Sequence, residues 1–175
     1  MIDYAPILGT QGADNEGGFA TILAMPKRWL ANIPAVVGGG APGDLNTIAA
    51  AITVNNPLAE GFVKMYATDT TQLLVGESVG ERDGRTKKWT TTFFHPGNDA
   101  ILEEWFDSAQ NEEFIVLEQE CDGKVWLFGT NCTGAELFAA FNSGQRDGSG
   151  RKGYTVTIEY FGKRIFYTAA IPMKP

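Results

Sequence analysis

The stretch from Glu112 to Ala170 constrains this chain most, because it reads as successive β-strands separated by turn residues. Phe114-Ile115-Val116-Leu117 and Val125-Trp126-Leu127-Phe128 flank the pair Asp122-Gly123. Asp-Gly between two β-prone runs predicts a hairpin, since the tight turn needs a positive φ that Gly adopts without steric cost. A two-residue turn there would set Cys121 opposite Lys124 and bring Cys132 near residue 113. Further on, Tyr154, Val156, Ile158 and Tyr160 alternate with Thr155, Thr157 and Glu159, the period of a half-buried strand. Phe161-Gly162-Lys163-Arg164 then predicts a turn into Ile165-Phe166-Tyr167-Thr168-Ala169-Ala170, a second hairpin.

Everything upstream must complete or cover that sheet. Phe19 to Leu30 reads as a strand interrupted at Pro26, which marks an edge or a bend. Ile33 to Gly43 is a long Gly/Pro loop, and long loops in compact domains tend to be functional or disordered. Thr47 to Val54 is ambiguous between helix and strand, and strand is preferred for Ile48, Ile52, Thr53 and Val54. Gly61–Tyr66, Gln72–Val79 and Arg85–Phe94 are strands, the last two linked by the charged turn Gly80-Glu81-Arg82-Asp83-Gly84. His95-Pro96-Gly97 ends the run, and Asn98 or Asp99 caps a helix near 98–110. Its apolar stripe is Ile101, Leu102, Trp105, Phe106 and Ala109, with Glu103, Glu104 and Asp107 opposite. The fold class is therefore mainly β (α+β): an antiparallel β-sandwich or barrel with one flanking α-helix, extended loops and terminal arms. The organisation reads as an N-terminal arm over 1–18, one β-sandwich domain over 19–170 with a long loop at 33–45, and a tail at 171–175.

Length and charge narrow the function. A chain of 175 residues can bury about 70% of its unfolded surface as one domain. Acidic residues outnumber basic ones 21 to 14, a formal charge of −7 that suits a phosphate backbone poorly as a specific partner. The first residues lack a basic, then apolar, leader pattern, and no apolar run reaches the roughly 20 residues of a membrane span. Cys121 and Cys132 are read as reduced thiols of a protein made in a cytoplasm.

The local motifs carry little chemistry. Gly148-Ser149-Gly150-Arg151-Lys152-Gly153 spells a dinucleotide fingerprint, but a strand follows it where the motif needs a helix. Gly38 to Gly43 lacks the ending of a phosphate-binding P-loop. His95 is the sole histidine and reads as a turn residue, which leaves zinc sites short of ligands. Glu103-Glu104, Glu112-Glu113 and Glu118/Glu120 read as solvated faces, and Asn131-Cys132-Thr133 is a sequon without a secretion signal. The residues assemble no catalytic constellation, no metal site and no cofactor site, so the chain reads as a non-enzyme.

The element order resembles the phage tail tube (major tail) protein family, whose fold is shared with type VI secretion tube proteins. The matching features are the lone helix Asn98–Gln110, the hairpin Phe114–Phe128, the Gly-rich turn Asn142–Gly153 and the late strand Gly153–Ile158, within residues 45–170. The resemblance implies a structural subunit that closes into hexameric rings, which stack into a tube in the virion tail after assembly in the host cytoplasm. It implies partners that are other copies and other tail proteins, with DNA passing through unbound and no membrane involved. A tail-terminator or head–tail ring would differ only in stacking.

Under that reading Glu118, Glu120 and Glu159, which alternate with apolar residues, are the candidates for an acidic lumen wall. Tyr4, Phe19, Val36, Val37, Gly39, Arg82 and Arg85 are candidates for loop and arm contacts between subunits. Edge strands in such a ring pair with the next copy, so they carry no aggregation liability. The alternative reading is a ligand-binding β-barrel or sandwich with Trp89 and Trp126 lining a pocket.

Overall fold

The structure, a computed structural model, describes residues 19–144 and 150–175. The fold is mainly β with one α-helix. Strands β1 (Phe19–Pro26), β2 (Leu30–Asn32), β3 (Thr47–Ile48), β4 (Thr53–Val54), β5 (Val63–Met65), β6 (Leu73–Val79) and β7 (Thr86–Pro96) precede helix α1 (Ala100–Ala109). Strands β8 (Glu113–Glu120), β9 (Val125–Phe128), β10 (Ala135–Asn142), β11 (Gly153–Phe161) and β12 (Ile165–Tyr167) follow it.

Strand β8 is where the sheet divides. Along one edge it pairs antiparallel with β1, which in turn pairs with β5. Along the other, Val116–Gln119 pair with β9, whereas Glu113 and Phe114 pair with β10. One branch therefore runs β9–β12–β3 and the other β10–β11–β7–β6, in a single 10-stranded sheet with β2–β4 as a separate ribbon. The corner between the branches is the turn Gly129–Gly134, closed by Thr130 N–H on Thr133 O at 2.7 Å. Gly129 holds φ at 133°, and a Cβ there would stand 2.6 Å from Ile115 Cδ1, so the corner admits no side chain. After β5 the chain returns to β7 beyond the end of β6: Thr68 N–H donates to Phe94 O at 2.8 Å. Ile22 and Ala24 of β1 share a core with Phe93 of β7 and Val156 of β11, so the β1–β5 flank lies over the β10–β11–β7–β6 branch as a sandwich.

The apolar run at Phe114–Leu117 follows from this position, because a strand buried on both faces needs no alternation. Phe114 and Val116 join Ile22, Ala24, Phe93, Val156 and Ile158 in one core between the layers. Ile115 and Leu117 join Leu23, Met25, Ile48, Phe62 and Leu127 in a second core on the reverse side. Each fully buried Ile, Leu or Val on these strands contributes about 1.5–3 kcal/mol of transfer free energy. In β11 the alternation gives the expected result, with Tyr154, Val156, Ile158 and Tyr160 inward and buried.

Several expectations need correction. The β8–β9 connection spans three residues, because Glu120 rather than Cys121 pairs with Lys124, and Gly123 N–H bonds back to Glu120 O at 2.9 Å. Gly123 takes the left-handed position of that turn at φ 85°, so the Asp-Gly signal located the turn and missed its length by one residue. The second hairpin does not form. β12 leaves β11 at Gly162 and pairs instead with β9 and, in parallel, with β3. Pro26 ends β1 past the last residue paired with β5, Ala24, and keeps only Phe114 of β8 as a strand partner, so it stands at the strand's end on a locally open side. Thr47–Val54 holds two short strands with irregular chain between them. His95 lies inside β7, paired with Tyr154, and its Nδ1 sits 2.7 Å from Tyr66 O. Asp99 is the helix cap, accepting from Leu102 N–H at 2.8 Å. Phe106 and Ala109 bury the helix face, but Ile101 stays 80% exposed beside a groove of about 270 Å³ shared with Tyr66 and Trp105.

Candidate functional site

Two features stand out among the described residues: an open sheet edge and a basic cleft at one end of the sandwich. The edge is β6. It pairs with β7 on one side, and no strand of the described residues covers the other. Leu73 and Val75 on it are 59% and 48% exposed. Edge strands of soluble proteins usually carry charge, proline or a bulge at such positions, since their free N–H and C=O groups invite another strand. β6 carries one acid, Glu77, cross-strand from Lys88. Gly76 within it is fixed by packing: the Trp89 ring lies where a Cβ would reach, 2.3 Å from Cζ3.

The outward face of β10–β11–β7–β6 follows from register. One row across it is Phe138, Thr157, Thr92 and Leu73; the next is Glu136, Glu159, Thr90 and Val75. Phe138 and Phe161 on this face are exposed. It is a threonine-rich surface with exposed Phe138 and Leu73 at the two ends of one row and the Lys88–Glu159 pair also on the face.

The predicted acidic residues separate. Glu118 projects nowhere: it is 1% exposed, set between the layers, and accepts from Thr91 Oγ1 at 2.5 Å through one oxygen. The reason is the position of β8, whose two faces are both interior, so alternation with apolar neighbours does not signal a solvent face there. Its other oxygen has no partner, which disfavours the charged form. Burial pushes its pKa from 4.5 to about 7; the Thr91 hydroxyl and the Arg164 charge pull it down, and Glu120 adds to the rise. Glu120 is half-buried and pairs with Arg164 at 3.4 Å. Glu159 is half-buried on the outward face and pairs with Lys88 at 2.8 Å. Both therefore present neutralised pairs. Glu136, exposed beside Glu159, and Glu77 of β6 are acids on that face that the sequence reading passed over, although Glu136 alternates with Ala135 and Leu137 in the same way.

The predicted contact residues also disperse. Tyr4 lies outside the described residues. Phe19 opens β1 opposite Glu120. Val36 packs half-buried on the second core, while Val37 is exposed and its N–H donates to Thr47 O at 2.8 Å. Gly39 lies under the Asp44 carboxylate, which accepts from Ala41 N–H at 3.1 Å. Arg82 and Arg85 are exposed in the β6–β7 turn, adjacent to the open edge. The Gly-rich fingerprint is described only from Gly150 on, and Gly153 begins strand β11.

At the end of the sandwich, Trp89 and Trp126 line one cleft of about 330 Å³ with Asn46, Lys87, Lys163 and Arg164. The Arg164 guanidinium lies 4.6 Å from the Trp89 ring centre and 4.1 Å from that of Trp126. Lys87 Nζ sits 5.4 Å from the Trp89 ring, and Lys163 Nζ donates to Leu45 O at 2.7 Å. The aromatic pair was expected; the three cations were missed, because they come from β7 and from the crossing at Gly162 that the sequence suggested was a hairpin turn. Among the described residues no three His, Cys, Asp or Glu gather as metal ligands, and no helix is long and apolar enough to cross a membrane.

Compared with family models, curated proteins and solved structures, the chain matches none of them.

Proposed function

We propose that this chain is a structural subunit that assembles edge to edge into rings, and that the rings stack as the tube of a phage tail. The observation that carries the reading is β6, a seven-residue edge strand whose exposed Leu73 and Val75 are unguarded by charge. Such an edge is a hazard on a lone molecule and an asset in a ring, where the next copy completes the sheet. Heterologous pairing of this kind closes into a ring where the rotation between copies closes, and stacking of the rings then uses a second, axial surface. The acidic balance of −7 fits a conduit through which DNA passes without specific contacts, with other tail proteins at its ends. The resemblance in element order supports the same class, in which rings are hexameric and act in the virion.

Electron microscopy of the purified chain across protein and salt concentrations tests this. Rings or filaments are expected for the wild type, and L73K/V75K is expected to abolish them while leaving the circular dichroism of the monomer unchanged. A wild-type chain that stays strictly monomeric at high concentration in every salt condition would overturn the proposal. The ligand-binding alternative gains one observation, the cleft shared by Trp89 and Trp126.

A further inference from the structure

Lys87, Lys163 and Arg164 converge on a cleft in a chain whose overall charge is −7. Among the described residues one carboxylate pairs with these three cations, Glu120, which meets Arg164 at a long 3.4 Å. Arg164 is also held by the two indole rings, so its guanidinium is oriented before any ligand arrives. Two lining residues hold buried polar atoms without a partner, Asn46 Oδ1 and Trp126 Nε1. Buried polar atoms in native folds are nearly always satisfied, so the N–H of Trp126, whose ring packs on Arg164, is a donor lacking an acceptor, whereas the Asn46 oxygen is itself an acceptor and offers an anion nothing.

We propose that this cleft is a binding site for a small oxyanion, the phosphate, sulfate or carboxylate group of a free molecule. Arg164 supplies the fixed donor fork, Lys87 and Lys163 supply point charges at the rim, and the tryptophans exclude water from the contact. The volume of about 330 Å³ accommodates a metabolite-sized molecule and excludes a folded partner.

Glu118 couples this site to pH. It lies cross-strand from Trp126, and the groups that face it are Thr91 of β7, Glu120 of its own strand and Arg164. When Glu118 is neutral, no negative charge from it offsets the positive potential of Arg164 at the cleft. When Glu118 ionises, its charge competes for Arg164 and repels the anion. Acidification through neutrality therefore tightens binding.

The full chain, below the concentration at which it assembles, is titrated with sodium sulfate and with sodium succinate at constant ionic strength, reading tryptophan fluorescence. Working below assembly keeps the outcome separate from that of the ring proposal. Saturable binding of either anion is expected, with K87Q/K163Q weakening it about tenfold, roughly threefold for each exposed charge. Both lysines are exposed at the rim, so the variant keeps its fold, checked by an unchanged melting midpoint without anion. Sulfate stays dianionic from pH 5 to 9, so its pH dependence reports the protein. Its affinity is expected to fall as pH rises through 7 in the wild type and to stay flat in E118Q. Binding of neither anion, or binding that K87Q/K163Q retains in full, overturns the site; a wild-type affinity independent of pH overturns the coupling.

Discussion

A carboxyl held between two sheet layers makes stability depend on pH in the sense opposite to that of a salt-bridged surface acid. Glu118 titrates near 4.5 when the chain is unfolded and near 7 in the fold. Between those values the folded state binds more protons than the unfolded state, so the stability of the fold decreases as pH rises. The contribution is complete below the unfolded value and is lost as pH passes through the folded one. Its upper size is on the order of 3 kcal/mol. Urea unfolding of the wild type and E118Q at pH 5 and pH 8 isolates it. The wild type is expected to weaken relative to E118Q between those two values, and parallel behaviour would show that this carboxyl is not perturbed. Sequence could not locate this residue, because the letters of β8 give Glu118 the same alternating neighbours as an exposed acid. Only the packing of one core against Phe114 and Val116 and of a second against Ile115 and Leu117 makes both faces of β8 interior.

Among the elements, the helix was the most legible. Its extent to within two residues and the buried Phe106 and Ala109 were read, the cap was narrowed to Asn98 or Asp99, and Ile101 of the expected stripe is exposed. The Asp99 carboxylate satisfies an otherwise orphaned N–H of the first turn and opposes the positive end of the helix dipole. Asp99→Ala is expected to lower unfolding free energy by about 1 kcal/mol, seen as a lower urea midpoint at unchanged slope. An unchanged midpoint would mean that packing of Phe106 alone holds the helix. Strand identity was equally readable in β7, β8, β9 and β11, where aromatic and β-branched residues dominate. Strand partnership was not. A turn such as Gly162–Arg164 reads the same whether the next strand folds back or crosses to the other layer, and here Gly162 N–H bonds to Lys87 O at 2.9 Å as the chain crosses over. That one topological choice brings Lys163 and Arg164 to the tryptophans, so the cleft was half legible: the rings could be named, the cations could not.

For the whole molecule, charge and edge pairing oppose each other, and their balance sets how assembly responds to salt. Each copy carries −7, so like-charged subunits repel over a range set by the Debye length, about 30 Å at 0.01 M and 8 Å at 0.15 M. The proposed contact at β6 is made by backbone hydrogen bonds and by Leu73 and Val75, none of which salt screens. Raising sodium chloride therefore removes the opposing term and leaves the attractive one. The critical concentration for assembly, followed by sedimentation or light scattering, is expected to fall as salt rises from 0.01 to 0.15 M and to level off beyond it. Assembly held together by charged side chains, with Arg82 and Arg85 beside the edge docking onto a neighbour's carboxylates, would behave in reverse and dissolve as salt is added. A rise in critical concentration with salt would thus move the interface from the open strand to the β6–β7 turn, and R82Q/R85Q would then be the variant that loses the rings.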